Sequence, residues 1–288
     1  MTSDALRVEH IAQPAVLVDD LDVALDWLSA VLKAYPSERV DISGAGVNNA
    51  VYAFANRTYL ELIEPYNPQS GAYRLLKRFG PGWHMLNVDI VDADSADVED
   101  ALTQAAARVV QRNKTVHVKG AWHLHPRDTD GVLLNLANAA DHDEHGMWAG
   151  WAWREFVSTN TRVVHDIGGV SLVTDDLDRT GQRYAQLGFE FGSPFADGPD
   201  QVVQAICPGG SFLQIRTPRS SDSPGAELLH SRGPGLFHLH WHCMDLERAR
   251  ETLVGAGAVL VRVDKNAFWT EAKSTGIRVA MEFRESNG

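Results

Sequence analysis

The chain has 288 residues, enough for about two domains, and its 44% hydrophobic and 22% charged residues are those of an ordinary globular protein. A formal charge of −12 argues against non-specific attraction to nucleic acid or anionic membrane. No apolar run reaches membrane-span length, residues 1–9 carry no secretory pattern, and Cys207 and Cys243 are too few for a disulfide framework. The expectation is a cytoplasmic protein that handles small molecules, with two buried, inert thiols.

Taken in order, HIAQPAVLVDDLD (10–22) reads as an apolar strand ending in an acidic turn. VALDWLSAVLKAY (23–35) follows with apolar residues at helical spacing, and the preceding aspartates supply an N-cap and a favourable charge for the helix dipole. TYLELIEP (58–65) is a further strand, and GPGWHMLNVDIVDADSADVEDALTQAAARVV (80–110) repeats strand, acidic turn and helix. His123 and His125 alternate just before Pro126, as in a strand nearing its turn, and TDGVLLNL (129–136) ends this half. Residues 137–162 hold Asp141, His142, Asp143 and His145, then Trp148, Trp151 and Trp153. A solvated acidic linker followed by an aromatic packing segment explains them better than a metal site does.

The second half repeats the first. DIGGVSLVTDDLD (166–178) with RTGQRYAQLGF, SFLQIRTP (211–218), GPGLFH (233–238) and STGIRVAMEF (274–283) restate the earlier landmarks at an offset of about 150 residues, the mark of tandem duplication. The predicted class is α+β: four units, each a strand, a helix and about three strands, paired into two curved mixed sheets with helices outside. The expected boundaries are 1–138, a linker at 139–162, and 163–288. Glycine-rich GAGVNN (44–49) and GAGA (255–258) lack the strand-to-helix setting of a dinucleotide loop.

One stretch stands out chemically. His238, His240 and His242 recur with period two in GLFHLHWHC, so a strand there sends all three imidazoles to one face and Leu239, Trp241 and Cys243 to the other. Imidazole is the commonest metal ligand and titrates nearest neutrality. A polar solvent-facing strand or a set of satisfied core histidines is the bland alternative.

Four such units in two pairs resemble the vicinal oxygen chelate superfamily: glyoxalases, methylmalonyl-CoA epimerases, bleomycin-resistance proteins and extradiol dioxygenases. The carrying residues are Val18-Asp-Asp-Leu-Asp22, Leu60-Glu-Leu-Ile-Glu-Pro65, Gly80-Pro-Gly-Trp-His84 and the run His125–Asn135. The resemblance implies a divalent metal on a concave sheet face, held by first and last strands of paired units. In the first half its positions fall on Gln13, Glu61, His84 and Asn135, although counting back seven from Asp92 lands on Met85 rather than His84. Asn135 stands where a carboxylate belongs and cannot serve as a base. In the second half they fall on His238 and Glu282, with Ala280 sharing the strand face of Glu282. Gln214 matches Glu61, and the first-strand position falls on Gly169, with His165 four residues earlier.

The leading reading takes His165, His238 and Glu282 as an iron(II) facial triad of an extradiol ring-cleaving dioxygenase acting on a catechol-like aromatic. His240 is then the acid–base group, and Gln214, His242 and Trp269 contact substrate. The tyrosine usual in that branch has no counterpart; Phe268 and Trp269 occupy its region. A second reading is an epimerase- or glyoxalase-like isomerase or lyase working through a metal-stabilised enolate at Gln13, Glu61, His84 and Asn135. The third is a metal-free small-molecule binding protein. All three imply a small-molecule ligand, and exposed sheet edges are compatible with a homodimer.

Overall fold

The computed structural model describes residues 6–37, 39–91, 93–113, 118–139, 148–150, 153–159 and 163–285. Asp92, Asp141, His142, Asp143, His145 and Trp151 lie outside the described residues. The chain opens with β1 (Val8–Leu17), α1 (Leu21–Leu32), β2 (Val40–Ile42), β3 (Val47–Ala53) and β4 (Tyr59–Pro65). After α2 (Gly71–Phe79) come β5 (Gly82–Ile90), α3 (Ser95–Gln104), β6 (Val109–Asn113), β7 (Val118–Leu124) and β8 (Leu133–Ala139). The second half follows α4 (Trp153–Thr159) with β9 (Val164–Val173), α5 (Leu177–Gln186), β10 (Phe195–Asp197), β11 (Asp200–Ile206) and β12 (Phe212–Pro218). Then α6 (Pro224–Arg232) leads to β13 (Gly235–Cys243), α7 (Leu246–Gly255), β14 (Leu260–Asp264), β15 (Ala267–Thr270) and β16 (Ala280–Glu285). Four βαβββ units are therefore present, as expected.

Local chemistry accounts for the boundaries. Asp20, Asp176 and Asp245 each accept a backbone N–H three residues ahead, at 3.1, 2.9 and 2.9 Å, and so start α1, α5 and α7. The helices α2 and α6 were not anticipated. Each is a nine-residue segment capped by a serine, Ser70 or Ser223, and stopped by the first glycine of a GPG landmark. Gly80 and Gly233 have φ of 75° and 81°, a backbone state that only glycine adopts without strain. The repeated GPG is thus a helix stop that launches the next strand.

One sheet runs β2-β3-β4-β1-β5-β8-β7-β6 and the other β10-β11-β12-β9-β13-β16-β15-β14. Both are mixed: β1 with β4, β5 with β8, β9 with β12 and β13 with β16 pair in parallel, and the outer strands are antiparallel. No helix among the described residues is long and apolar enough to cross a membrane.

By backbone contacts the chain forms two compact units. One comprises Met1–Ala12, Met85–Glu144 and Gly169–Phe237; the other comprises Gln13–His84, His145–Gly168 and His238–Gly288. In the first, Tyr184 is wholly buried, donates its hydroxyl to the Thr129 carbonyl at 3.0 Å and packs 5.6 Å from Phe189. In the second, Trp241 lies stacked on Phe283 at 6.3 Å with Phe54 edge-on at 5.4 Å, and Phe283 stacks in turn on Phe268 at 4.8 Å. Trp148, Trp153 and Val157 pack against Val51, Ala53, Tyr59 and Ala149 in that same unit, so the tryptophan-rich segment is a packing element in its described part.

Candidate metal centre

The histidine strand starts just after the Gly233 stop of α6, ends just before the Asp245 cap of α7, and is fixed by its apolar face. Leu239, Trp241 and Cys243 are buried on that face, and the aromatic stack around Trp241 contributes several kcal/mol at about 25 cal/mol per Å² of buried apolar surface. A slip of one residue would take that stack from its aromatic partners and put the imidazoles among them, so the register is fixed and His238, His240 and His242 are turned to the opposite face.

Parallel pairing with β16 decides what they meet. His238 stands opposite Ala280, His240 opposite Glu282, and His242 opposite Arg284. The carboxylate therefore faces His240, and Ala280 takes the place across from His238. The His240 Nδ1 lies 2.9 Å from Glu282 Oε2, and one ligand atom from each of His238, His240 and Glu282 falls within 4.8 Å of the others. The three are 7%, 1% and 0% exposed. The second Glu282 oxygen, Oε1, accepts from Arg284 Nε. Burial alone would push the Glu282 pKa up, but the charge and hydrogen bond of His240, with Arg284 and His238, outweigh it and hold the carboxyl well below its ordinary range. An anionic carboxylate and two imidazoles in a dry setting form the donor set of a two-histidine, one-carboxylate centre. Trp269, paired with Glu282 across β15, shares this face, and the Arg262 guanidinium stacks over its ring at 4.1 Å.

His165 is not part of this group. Its Nδ1 sits 2.6 Å from Asp166 Oδ2, with a side chain 52% exposed. The other oxygen of Asp166 lies 2.7 Å from His242 Nδ1, so one carboxylate holds two imidazoles. Burial opposes ionisation of Asp166, yet the hydrogen bonds from His242 and His165 lower its pKa. The His242 ring lies over Gly168, where a methyl group would meet ring atoms at 2.6–3.1 Å. Gly169 is also required: a Cβ there would fall 2.1 Å from the Phe212 carbonyl oxygen, so β12 excludes any side-chain ligand at that position.

Gln214 is committed elsewhere. Its amide donates to Gln204 at 2.8 Å, and its oxygen accepts from buried Arg216 at 2.7 Å, which also pairs with Asp197 and Asp200. In the first half, Glu61 accepts from Asn49 at 2.6 Å, and burial raises its pKa against that hydrogen bond. Gln13 donates to the Trp148 carbonyl at 3.1 Å. Val51, paired with Glu61, and Ala53, paired with Tyr59, carry the packing of Trp148 and Trp153 on this same face, so the chain covers its own Gln13–Glu61 surface. Asn135 donates to Asn87 at 2.9 Å. His84 alternates with Asn87 along β5 and so points to the face opposite Asn135. No second group of three clustered His, Cys, Asp or Glu ligands occurs among the described residues.

Asp166 and Arg284 escaped the sequence reading. Arg284 carried a signal, since it follows Glu282 by two in a strand and must share its face. Asp166 carried none.

Comparison with known proteins supplies the wider setting. The glyoxalase-like domain family matches residues 10–188, and the glyoxalase/bleomycin resistance protein/dioxygenase superfamily matches residues 170–281. A variant of 4-hydroxymandelate synthase from Streptomyces coelicolor is similar in fold over 98% of this chain and 94% of its own, at 15% identity and a TM-score of 0.71. Methylmalonyl-CoA epimerase from Mycobacterium tuberculosis aligns with 49% of this chain and 94% of its own at 24% identity, with a TM-score of 0.42. The Streptomyces coelicolor epimerase in complex with 2-nitronate-propionyl-CoA covers 46% of this chain and 99% of its own at 22% identity, with a TM-score of 0.41. No curated protein matches the sequence.

Proposed function

Because the chain belongs to the glyoxalase-like domain family of the vicinal oxygen chelate superfamily, we propose that it is a metal-dependent enzyme acting on a small molecule, in its most concrete form an iron(II) ring-cleaving dioxygenase of extradiol type for a catechol-like aromatic. The observation that carries this reading is the buried convergence of His238, His240 and Glu282. Three protein donors of this kind suit iron(II), which when bound supplies Lewis acidity and open positions for a chelating substrate and O₂.

In this reading His240 is a ligand, and the first-strand ligand sought at His165 is not needed. Glu282, held anionic, balances part of the ion's charge. The acid–base role passes to His242, whose Nδ1 is fixed by Asp166 and whose ring is a third exposed, so a proton taken from a substrate hydroxyl can leave to solvent. Trp269 offers an aromatic wall beside Glu282. The isomerase reading draws less from the geometry, because Glu61 is bound by Asn49, kept towards its neutral form by burial, and covered by the tryptophan segment.

Elemental analysis of anaerobically purified protein tests the assignment. About one iron per chain is expected, lost in His238→Ala, His240→Ala and Glu282→Gln and retained in His165→Ala, with oxygen uptake on adding catechols. Full metal retention in His240→Ala, or no binding after loading with iron(II), overturns it.

A further inference from the structure

Among the described residues, the end strands of the two sheets are β2, β6, β10 and β14. An end strand presents its outer backbone groups to any other strand, and folds blunt it by shortness or by charge. β2 and β10 are three residues long. β6 has five residues and is guarded by charge: Arg108 pairs with Asp128 at 2.7 Å and Arg112 with Glu99 at 2.6 Å. β14 also has five, but Val259, Val261 and Val263 stand along it 51%, 50% and 52% exposed.

The tandem repeat supplies an internal reference for this edge. Both strands carry the same bulge, between Val109 and Gln111 and between Leu260 and Arg262. Both are also tied in the same way at their start. The His125 N–H donates to the Arg108 carbonyl and the Glu271 N–H to the Val259 carbonyl, each at 2.8 Å. The N–H of Arg108 meets the Asp128 carboxylate, and that of Val259 meets the Ser274 hydroxyl. Val259 and Val263 therefore stand where the first half has Arg108 and Arg112, and Ser274 stands where it has Asp128. Counting onward from the N-cap residues Asp94 and Asp245 puts Arg250 where the first half has Glu99. Both members of both guarding ion pairs are thus missing from β14, and apolar surface takes their place.

We propose that β14 pairs antiparallel with β14 of a second copy of this chain, continuing the sheet across a two-fold axis. A two-fold contact sets a surface against itself. Valines accept that arrangement, whereas the arginines of β6 would repel. Charge favours a second copy as well. Arg262 and Asp264 pair with each other at 2.5 Å, and antiparallel pairing carries the two Lys265 side chains, in the turns after β14, to opposite ends of the contact. The chain as a whole carries −12, but in this strand and its turn Arg262 and Lys265 exceed Asp264 by one charge, so a second acidic copy meets no repulsion there. Size sets the strength. Five residues give an edge about 17 Å long. With its side chains it covers less than the roughly 800 Å² per partner of a tight complex, so the dimer is reversible, with a Kd on the order of 10 µM.

Sedimentation velocity of the full chain between about 1 and 200 µM tests this, because that range spans the expected Kd. Wild type should pass from monomer to dimer. Val259→Arg/Val263→Arg, which gives β14 the arginines of the first half, should stay monomeric throughout. Val110→Arg, at the matching exposed position of β6, should dimerise like wild type. Thermal melting by circular dichroism checks that each variant folds; should the double variant melt lower than wild type, the single exposed change Val261→Lys decides in its place, and it too should be monomeric. Wild type that remains monomeric at the highest concentration overturns the proposal. So does a dimer undiminished by the β14 substitutions, or growth beyond a dimer, which a closed two-fold contact forbids.

Discussion

Trp241 provides the sharpest test of how the histidine face is held in place. Its side chain is fully buried on the face of β13 opposite His240, between Phe283 at 6.3 Å and Phe54 at 5.4 Å. An indole of this kind buries roughly 200 Å², worth about 5 kcal/mol at about 25 cal/mol per Å². Part of that is recovered as neighbours relax, so Trp241→Ala should cost about 3–5 kcal/mol. The indole Nε1 has no hydrogen-bond partner among the described residues, so Trp241→Phe breaks no such bond and should cost only about 1–2 kcal/mol for the reduced volume. Urea unfolding of the metal-free proteins, followed by far-ultraviolet circular dichroism, gives both values. Iron binding should weaken in Trp241→Ala, because the register that sets His240 against Glu282 is anchored from this side, and survive in Trp241→Phe. A loss below about 1 kcal/mol in Trp241→Ala would refute the packing argument. Equal losses in the two variants would refute the claim that volume, not the indole N–H, is what matters.

Two further outcomes follow from buried groups. Glu61 has its pKa raised by burial, so its neutral form is the one the fold favours; that contribution is complete below the ordinary value of 4.5 and is lost as pH rises through the folded value. Glu61→Gln should therefore be at least as stable as wild type at pH 7 and lose that advantage near pH 4, and a variant equally destabilised at both pH values in urea titrations would contradict this. Cys207 and Cys243 are buried, with burial pushing both thiols up to about 12, so neither should react with a thiol-specific disulfide reagent at pH 8 until the protein is unfolded. Rapid labelling of the native protein would show that the fold opens at these strands.

Much of the architecture was legible in the chain because it rests on local rules. Alternation along a strand is a property of covalent geometry, so His238, His240 and His242 had to share a face whatever lay beside them. The aspartates before α1 and α5 cap their helices through contacts three residues long, and the repeat revealed the four units without any long-range knowledge. The helices α2 and α6 were hidden because each is two and a half turns long, too short for periodicity to separate it from a loop, and because GPG reads as a turn as readily as a helix stop.

The site depended on distance in sequence. Whether Glu282 faces His238 or His240 is set by the register between strands about 40 residues apart, and that register is chosen by packing on the far side, where Trp241, Phe283 and Phe268 must stack. The capture of His242 by Asp166, and the covering of Gln13 and Glu61 by Trp148 and Trp153, likewise join segments that no local pattern relates. A strand's own sequence determines which side chains point the same way. The partners waiting on that side are decided by the tertiary structure, because pairing is the outcome of burying the opposite face.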